Sequence, residues 1–169
     1  MNITPEILTG IIIRLITSIT GTIGFSLIFN ISRNRLFWAA LGGLLTSAVY
    51  ELTSVLGGDP MISACTSALF MALYSESFAR ILRTSAVIFL FPCAIPIVPG
   101  RGLYYTMYYI LFYDREKLIE YSKPTLGIAL GIAVGVSFAS IIVSVLMHIS
   151  KRVKEKQKET SIIGGGNNN

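Results

Sequence analysis

Charged side chains are scarce in this chain: they make up 14% of its 169 residues, while 53% are hydrophobic. A soluble domain usually has about 25% charged residues, so this composition argues against a water-soluble globular protein. A span of roughly 20 apolar residues crosses a bilayer. The chain has room for four or five such spans with short loops, but not for a soluble catalytic domain beside them.

Side chains that perform catalysis are equally rare. There is one histidine, and the two cysteines, Cys65 and Cys93, lie in apolar segments where we expect small buried hydrophobic side chains. No His-rich metal set, nucleophile elbow or phosphate-binding glycine loop is present. We therefore expect no enzymatic activity, no metal, no cofactor and no nucleic-acid partner. Rings of like charge, which are typical of ion pores, are missing as well.

The first apolar run, residues 7–30, lacks the features of a cleaved signal peptide. The only charge ahead of it is Glu6 rather than a basic segment. The run is also longer than a signal-peptide core and has no small-residue cleavage site. We interpret it as a retained membrane span.

The apolar runs predict an all-α fold, a polytopic membrane helix bundle with five transmembrane helices. We place the spans at residues 7–30, 36–56, 61–81, 86–113 and 124–149, and the fourth is broken by a Pro/Gly motif. Residues 1–150 thus form the transmembrane bundle. Residues 151–169 are a basic tail that we expect to be disordered. Its lysines serve either as a positive-inside anchor or as contacts to anionic headgroups.

Basic residues predict the orientation in the cell membrane. One side of the bundle has nine of them, Arg33, Arg35, Arg80, Arg83, Lys151, Arg152, Lys154, Lys156 and Lys158. The other side has three, Arg115, Lys117 and Lys123, and these are balanced by acidic neighbours. The positive-inside rule then places the N-terminus outside and the C-terminus in the cytoplasm.

Small residues at helical spacing predict close helix packing. Gly127, Gly131 and Gly135 recur at every fourth position of span five, which lets a neighbouring helix approach closely. Small and hydroxyl residues of spans one and two, such as Thr17 and Ser47, predict similar surfaces. The neighbour is either another helix of this chain or a second subunit.

Four ionisable residues fall inside the predicted spans: Arg14, Glu51, Glu76 and Arg101. Each costs about 2.5–3.5 kcal/mol to insert, so they should face the bundle interior or a wet cavity. Glu51 and Glu76 are candidates for proton or ion coupling. The alternatives are structural pairing among the four, snorkelling of Glu51 to the surface, and an ion pair of Glu76 with Arg80 one turn on.

The segment 91–102 is the sharpest feature of the sequence. It contains three prolines and two glycines, so it cannot form an ordinary helix. Broken backbone at membrane depth is tolerated where protein or a wet cavity covers it, and secondary transporters build substrate sites from it. A helix restarting near Gly100 would direct its amides at a carboxylate. The same stretch also fits a kink that serves packing alone. The candidate substrate-binding residues are Pro96, Pro99, Gly100, Arg101 and Tyr104.

These residues resemble a known family. The motif 95–100, followed by Tyr104 or Tyr105 and then Thr106-Met107, is similar to the proline-rich motif of the threonine/serine exporter family. Residues 24–30 and 36–42 resemble its first two spans, and residues 67–83 also fit. The resemblance covers roughly residues 24–144.

The resemblance implies the small all-membrane subunit of the split form of that family, which works with a larger membrane subunit carrying a hydrophilic domain. It also implies proton-coupled export of small carboxylate substrates, with threonine and serine as the namesakes and dicarboxylates such as succinate as a further expectation. Arg101-Gly102 departs from the motif, and Arg101 either favours a second carboxylate or pairs with Glu76. An odd number of spans in each subunit would produce inverted repeats. A scaffold subunit that only stabilises the larger partner is the alternative.

Overall fold

A computed structural model describes residues 5–165, and it describes the side chains of residues 9–149 and of Arg152. These residues form six α-helices and one short 3-10 helix, without a strand, so the predicted all-α fold is confirmed. The elements are α1 (Pro5–Ile28), α2 (Arg33–Val55), α3 (Pro60–Ile81), α4 (Val87–Ala94), the 3-10 helix (Ile95–Ile97), α5 (Gly100–Leu111) and α6 (Arg115–Gly165).

Three of the described helices are long and apolar enough to cross a membrane, over Thr9–Ile28, Arg33–Val55 and Arg115–Ile149. The pair Val87–Ile97 and Gly100–Leu111, bent by 61°, gives a fourth candidate if it counts as one span. Helix α3 has 22 residues, but its serines and Glu76 lower its hydropathy. The chain is therefore a multi-pass membrane protein with three or four candidate spans, and the count of five stays a prediction.

After each of three helices, the second residue beyond the helix has a left-handed backbone conformation. These residues are Asn30, Arg83 and Tyr113, with φ of 53°, 48° and 56°. At the first, Ile31 N–H donates to Ser26 O at 3.0 Å, which is the six-residue ring of a Schellman motif. Such ends reverse the chain within a few residues and leave consecutive helices antiparallel.

Helix α6 differs from the prediction at both ends. It begins at Arg115 rather than near residue 124, because Asp114 Oδ1 accepts the Lys117 N–H at 3.2 Å and caps the first turn. Pro124 consequently lies inside the helix. We predicted a disordered tail from residue 151, but the helix continues to Gly165. The lysines and glutamates of this segment are good helix formers, which explains the continuation. Residues 166–169 lie outside the described residues.

Helices α3 and α6 pack tightly through the glycine face of α6. A Cβ added at Gly131 would overlap the carbonyl oxygen of Met61, and one at Gly135 would overlap that of Cys65. Gly127 is looser, because a Cβ there would lie 3.7 Å from the Met61 Cβ. Residue numbers rise in the same direction on both helices, so α3 and α6 are parallel. The neighbour of this glycine face is thus a helix of the same chain.

Two apolar clusters fill the bundle between α2, α3 and α4. One contains Ala68, Met71, Cys93 and Ile97, and the other contains Ala39, Ala79 and Phe89. Trp38 packs at the edge of the second cluster, with its ring 4.8 Å from that of Phe78. This second cluster lies at the arginine-rich end, where α1 turns into α2 and α3 into α4. We call it the inner cluster.

Candidate functional site

The proline motif breaks the helix at Val98 and Pro99, as the sequence predicts. Val98 precedes a proline and is extended, with ψ of 126°. Pro99 has φ −78° and ψ 58°, and Gly100 N–H donates to Val98 O at 2.8 Å, which is an inverse γ-turn. Leu103 N–H then donates to Pro99 O at 2.9 Å and starts α5. The first amides of α5 have no carbonyl partner within that helix.

A cavity of about 740 Å³ lies against this break. Four parts of the chain line it: α1, the last turns of α2, the break, and the first turns of the apolar part of α6. The lining residues are Arg14, Thr17, Ser18, Gly21, Ser47, Tyr50, Glu51, Ile95, Pro96, Ile97, Val98, Pro99, Gly100, Arg101, Gly102, Tyr121, Pro124, Thr125 and Ile128. The cavity lies between the middle of the bundle and the α2–α3 turn. The inner cluster lies at the other, arginine-rich end of the bundle.

An ion pair joins α1 and α2 in the cavity wall. Arg14 Nη1 lies 2.9 Å from Glu51 Oε1, within hydrogen-bonding distance. The side chain of Glu51 is 12% exposed, whereas that of Arg14 is 67% exposed. The nearly buried carboxylate thus has a compensating charge, as an acid within a membrane span requires. The predicted internal pairing of acids and bases is confirmed for these two residues.

Arg101 provides a second guanidinium at the same cavity. It lies in the first turn of α5, with its Cζ 5.6 Å from the centre of the Tyr105 ring, in a cation–π contact. Among the side chains that the structure describes, no carboxylate is within ion-pairing distance of Arg101. Arg101 therefore does not pair with Glu76, which was one of the two alternatives for it.

Tyrosines connect α5 to α6 beside the cavity. The Tyr121 ring lies 5.0 Å from that of Tyr105 and 5.5 Å from that of Tyr109, and Tyr121 lines the cavity. Tyr104, the tyrosine we selected from the sequence, is 64% exposed and does not line it. Neighbouring residues of a helix point in directions about 100° apart around its axis. In α5 it is Tyr105, rather than Tyr104, that faces α6.

The sequence contains a signal that Tyr105, rather than Tyr104, faces α6. A Cβ at Gly102 would overlap the Thr125 Oγ1, so Gly102 marks the face of α5 that contacts α6. Tyr105 and Tyr109 follow Gly102 at spacings of three and seven, which is the same helix face. Tyr121 was missed because residues 114–123 were interpreted as a loop. Thr125 lies in the predicted fifth span, residues 124–149, but was not selected as a candidate.

Glu76 lies away from the cavity. Its Oε2 is 3.6 Å from Arg80 Nη2 one turn on, and both side chains are partly exposed. The i,i+4 pairing was one of the alternatives for Glu76. The cavity thus brings together Pro96, Pro99, Gly100, Arg101 and Glu51, and it leaves out Tyr104 and Glu76.

Residues that we interpreted as packing surfaces also contribute to the cavity. Thr17, Ser18 and Ser47 line it, and the Ser18 hydroxyl donates to Gly43 O at 3.1 Å. Polar side chains therefore cover much of the wall that α1 and α2 provide. These hydroxyls share the cavity with the Arg14–Glu51 pair and with Arg101.

Comparison with known proteins adds one finding. A family model described as threonine/serine exporter, ThrE, matches residues 14–155, which include every residue that lines the cavity. No curated protein and no solved structure matches the chain. The matched region covers most of the sequence and contains the broken helix, the ion pair and Arg101. The chain therefore belongs to the threonine/serine exporter family.

Proposed function

We propose that this chain is a subunit of a secondary transporter that exports small carboxylate-bearing metabolites, and that the cavity at the break is its substrate site. The observation that supports this best is the position of Arg101. It lies at the N-terminus of α5, lines the cavity and has no carboxylate partner among the described side chains. A guanidinium beside helix N-terminal amides suits a carboxylate, because both the charge and the donors favour an anion.

The cavity suits amino acids such as threonine and serine. A substrate carboxylate at Arg101 leaves the rest of a small molecule against the hydroxyls of α1 and α2 and against Glu51. The Glu51 carboxylate can accept a hydrogen bond from a substrate ammonium group. Small dicarboxylates such as succinate stay within the proposed range, since Arg14 provides a second guanidinium at the same cavity.

We propose that Glu51, rather than Glu76, couples transport to protons. Glu51 is nearly buried, lines the cavity and is paired with Arg14, so a change in its protonation alters both the ion pair and the charge that faces substrate. Glu76 is more exposed and faces Arg80 outside the cavity. Ionisable residues buried within spans are typical proton carriers in transporters.

The membrane topology of the proposal has five crossings. In this proposal α3 is a span despite its polar residues. Because α3 and α6 are parallel, the chain between them then returns from one face of the membrane to the other, and the bent pair α4–α5 provides that return. Together with the distribution of basic residues, this supports an external N-terminus and a cytoplasmic C-terminus.

A larger membrane subunit completes the site in this proposal. Within the described residues, α1 does not pack against α5 or α6, so the cavity is open between them. Arg14 is 67% exposed at this opening, which is unfavourable against lipid. A transmembrane partner covering the opening would shield Arg14 and supply the remaining wall of the cavity.

Counterflow in proteoliposomes tests the proposal. We would reconstitute the full chain with its larger subunit and measure exchange of labelled serine, threonine and succinate for the unmodified protein, Pro99→Ala and Arg101→Gln. Arg115→Gln is the matched control, because Arg115 is an exposed arginine near the same end of the bundle but outside the cavity.

We expect Arg101→Gln and Pro99→Ala to reduce exchange of at least one substrate to background, while Arg115→Gln retains it and the yield of complex is unchanged. A scaffold subunit predicts the opposite pattern. In that case the substitutions would lower the amount of complex but leave the turnover of each remaining complex unchanged.

A further inference from the structure

A second cavity lies at the opposite, arginine-rich end of the bundle. It has a volume of about 280 Å³ and lies between the α1–α2 turn and α4. Its lining residues are Phe29, Asn30, Ile31, Ser32, Arg35, Val87, Ile88, Phe91 and Pro92. We call it the interfacial groove, because the turns that border it lie where the predicted spans end. It shares no lining residue with the substrate cavity.

One part of the interfacial groove is apolar and open. The Phe29 and Phe91 rings are stacked with their centres 6.1 Å apart, and both side chains are more than half exposed. Val87 continues this surface and is 51% exposed. These residues belong to the last turn of one span and the first turns of another. The apolar part therefore faces the hydrocarbon edge of the membrane.

The other part of the groove is cationic. The partly buried Arg35 donates from Nη1 to the Thr84 hydroxyl at 3.1 Å, and no described carboxylate pairs with it. Arg33 and Arg83 are exposed at the same end, and Glu76, in the last turns of α3, is paired with Arg80. The positive charge of Arg35 is thus uncompensated within the described chain.

Arg35 is directed at the groove from α2. The Ser32 hydroxyl, at the N-terminus of the same helix, makes no capping hydrogen bond and is free to contact a ligand. The positive field of this helix end adds to the charge of Arg35. A guanidinium binds a phosphate through two parallel donors. Phosphatidylcholine has the same phosphate, but the arginines at this end repel its choline cation, so the charge here favours an anionic lipid.

We propose that the interfacial groove binds an anionic phospholipid, with its phosphate at Arg35 and Ser32 and one acyl chain along Phe29, Val87 and Phe91. The combination of an unpaired cation with an adjoining open apolar surface at the end of the spans matches both parts of such a lipid. Basic pockets between membrane helices bind phospholipid headgroups in this way. The site is independent of the transported substrate and of the orientation of the chain.

Native mass spectrometry of the detergent-solubilised full chain, with any subunit that copurifies, tests this inference. The probes are phosphatidylglycerol and phosphatidylcholine with identical acyl chains. We expect preferential retention of phosphatidylglycerol, and about fivefold weaker retention in Arg35→Gln. Arg33→Gln is the matched control, since Arg33 is an exposed arginine that does not line the groove, and it should retain the lipid.

Two further variants separate a lipid site from a structural role of Arg35. Thr84→Val removes the hydrogen bond between the two turns but keeps the charge, so lipid retention should persist. Val87→Trp fills the apolar part and should weaken retention although Arg35 is unchanged. Equal retention of both lipids, displacement by inorganic phosphate, undiminished binding in Arg35→Gln or Val87→Trp, or loss in Thr84→Val as large as that in Arg35→Gln would each overturn the proposal.

Discussion

The two acidic residues within the predicted spans have different surroundings. Glu51 is 12% exposed and contacts Arg14 at 2.9 Å in the wall of the cavity at the break, whereas Glu76 is 39% exposed and contacts Arg80 at 3.6 Å outside it. A neutral substitution at Glu51 removes the only acid that lines the cavity among the described residues. The same change at Glu76 removes one partner of a surface pair, which is worth little.

We therefore predict that Glu51→Gln abolishes substrate uptake driven by a pH gradient, while exchange without a gradient continues at a measurable rate. Glu76→Gln should retain both activities. Parallel measurements in the same proteoliposomes check this prediction. Gradient-driven uptake by Glu51→Gln, or its loss in Glu76→Gln alone, would contradict the assignment of the coupling residue.

Arg101 and Tyr104 show how far single positions can be predicted. Arg101 was a candidate because it follows the break, and it lines the cavity. Tyr104 was a candidate for the same reason, but it does not line the cavity. Which α5 tyrosine faces α6 depends on the rotation of α5, which its packing on α6 determines. The Arg14–Glu51 pair joins residues 37 positions apart. Its geometry depends on the register of α1 against α2, which no local pattern of the sequence encodes.

At the scale of elements, α6 provides two glycines with different surroundings. The backbone of α3 contacts Gly131 so closely that a Cβ would overlap the Met61 carbonyl oxygen, and backbone cannot move aside as a side chain does. Gly127 has ordinary space, with 3.7 Å to the nearest side-chain atom. A methyl group added at Gly131 should therefore push α3 away from α6, whereas one added at Gly127 should not.

We predict that Gly131→Ala destabilises the protein by about 1–3 kcal/mol through overpacking, whereas Gly127→Ala changes stability by less than about 0.5 kcal/mol. Thermal unfolding of both variants in the same detergent measures the difference. Equal midpoints for the two variants would show that the α3–α6 contact is looser than the structure indicates.

The break and the glycine face were predictable at this scale because both depend on local chemistry. Proline lacks a backbone donor wherever it occurs, and glycines at every fourth position form a smooth surface in any helix. The start of α6 was missed although its cap is also local: Asp114 caps the first turn. We interpreted Pro124 as the start, since proline usually marks one, but the helix accommodates it.

At the scale of the whole molecule, the proposed topology has α3 and α6 cross the membrane in the same direction and the bent pair α4–α5 cross it between them. We predict that single cysteines at Asp59 and Tyr113, in a Cys65→Ala/Cys93→Ala background, react with an impermeant maleimide in intact cells. A cysteine at Ser85 should react only after permeabilisation. Reaction of Ser85→Cys and Tyr113→Cys from the same side would instead show that α4 and α5 form a re-entrant loop.

The sequence contains one tryptophan, Trp38, and its ring packs against Phe78 beside the inner cluster, at the arginine-rich end of the bundle. Indole emission depends on the polarity of its surroundings, so the intrinsic fluorescence of this chain reports on one location without an added label. Water entering between α2, α3 and α4 would shift the emission to longer wavelengths. The chain thus has a built-in spectroscopic probe at the arginine-rich end of the bundle, opposite the α2–α3 turn.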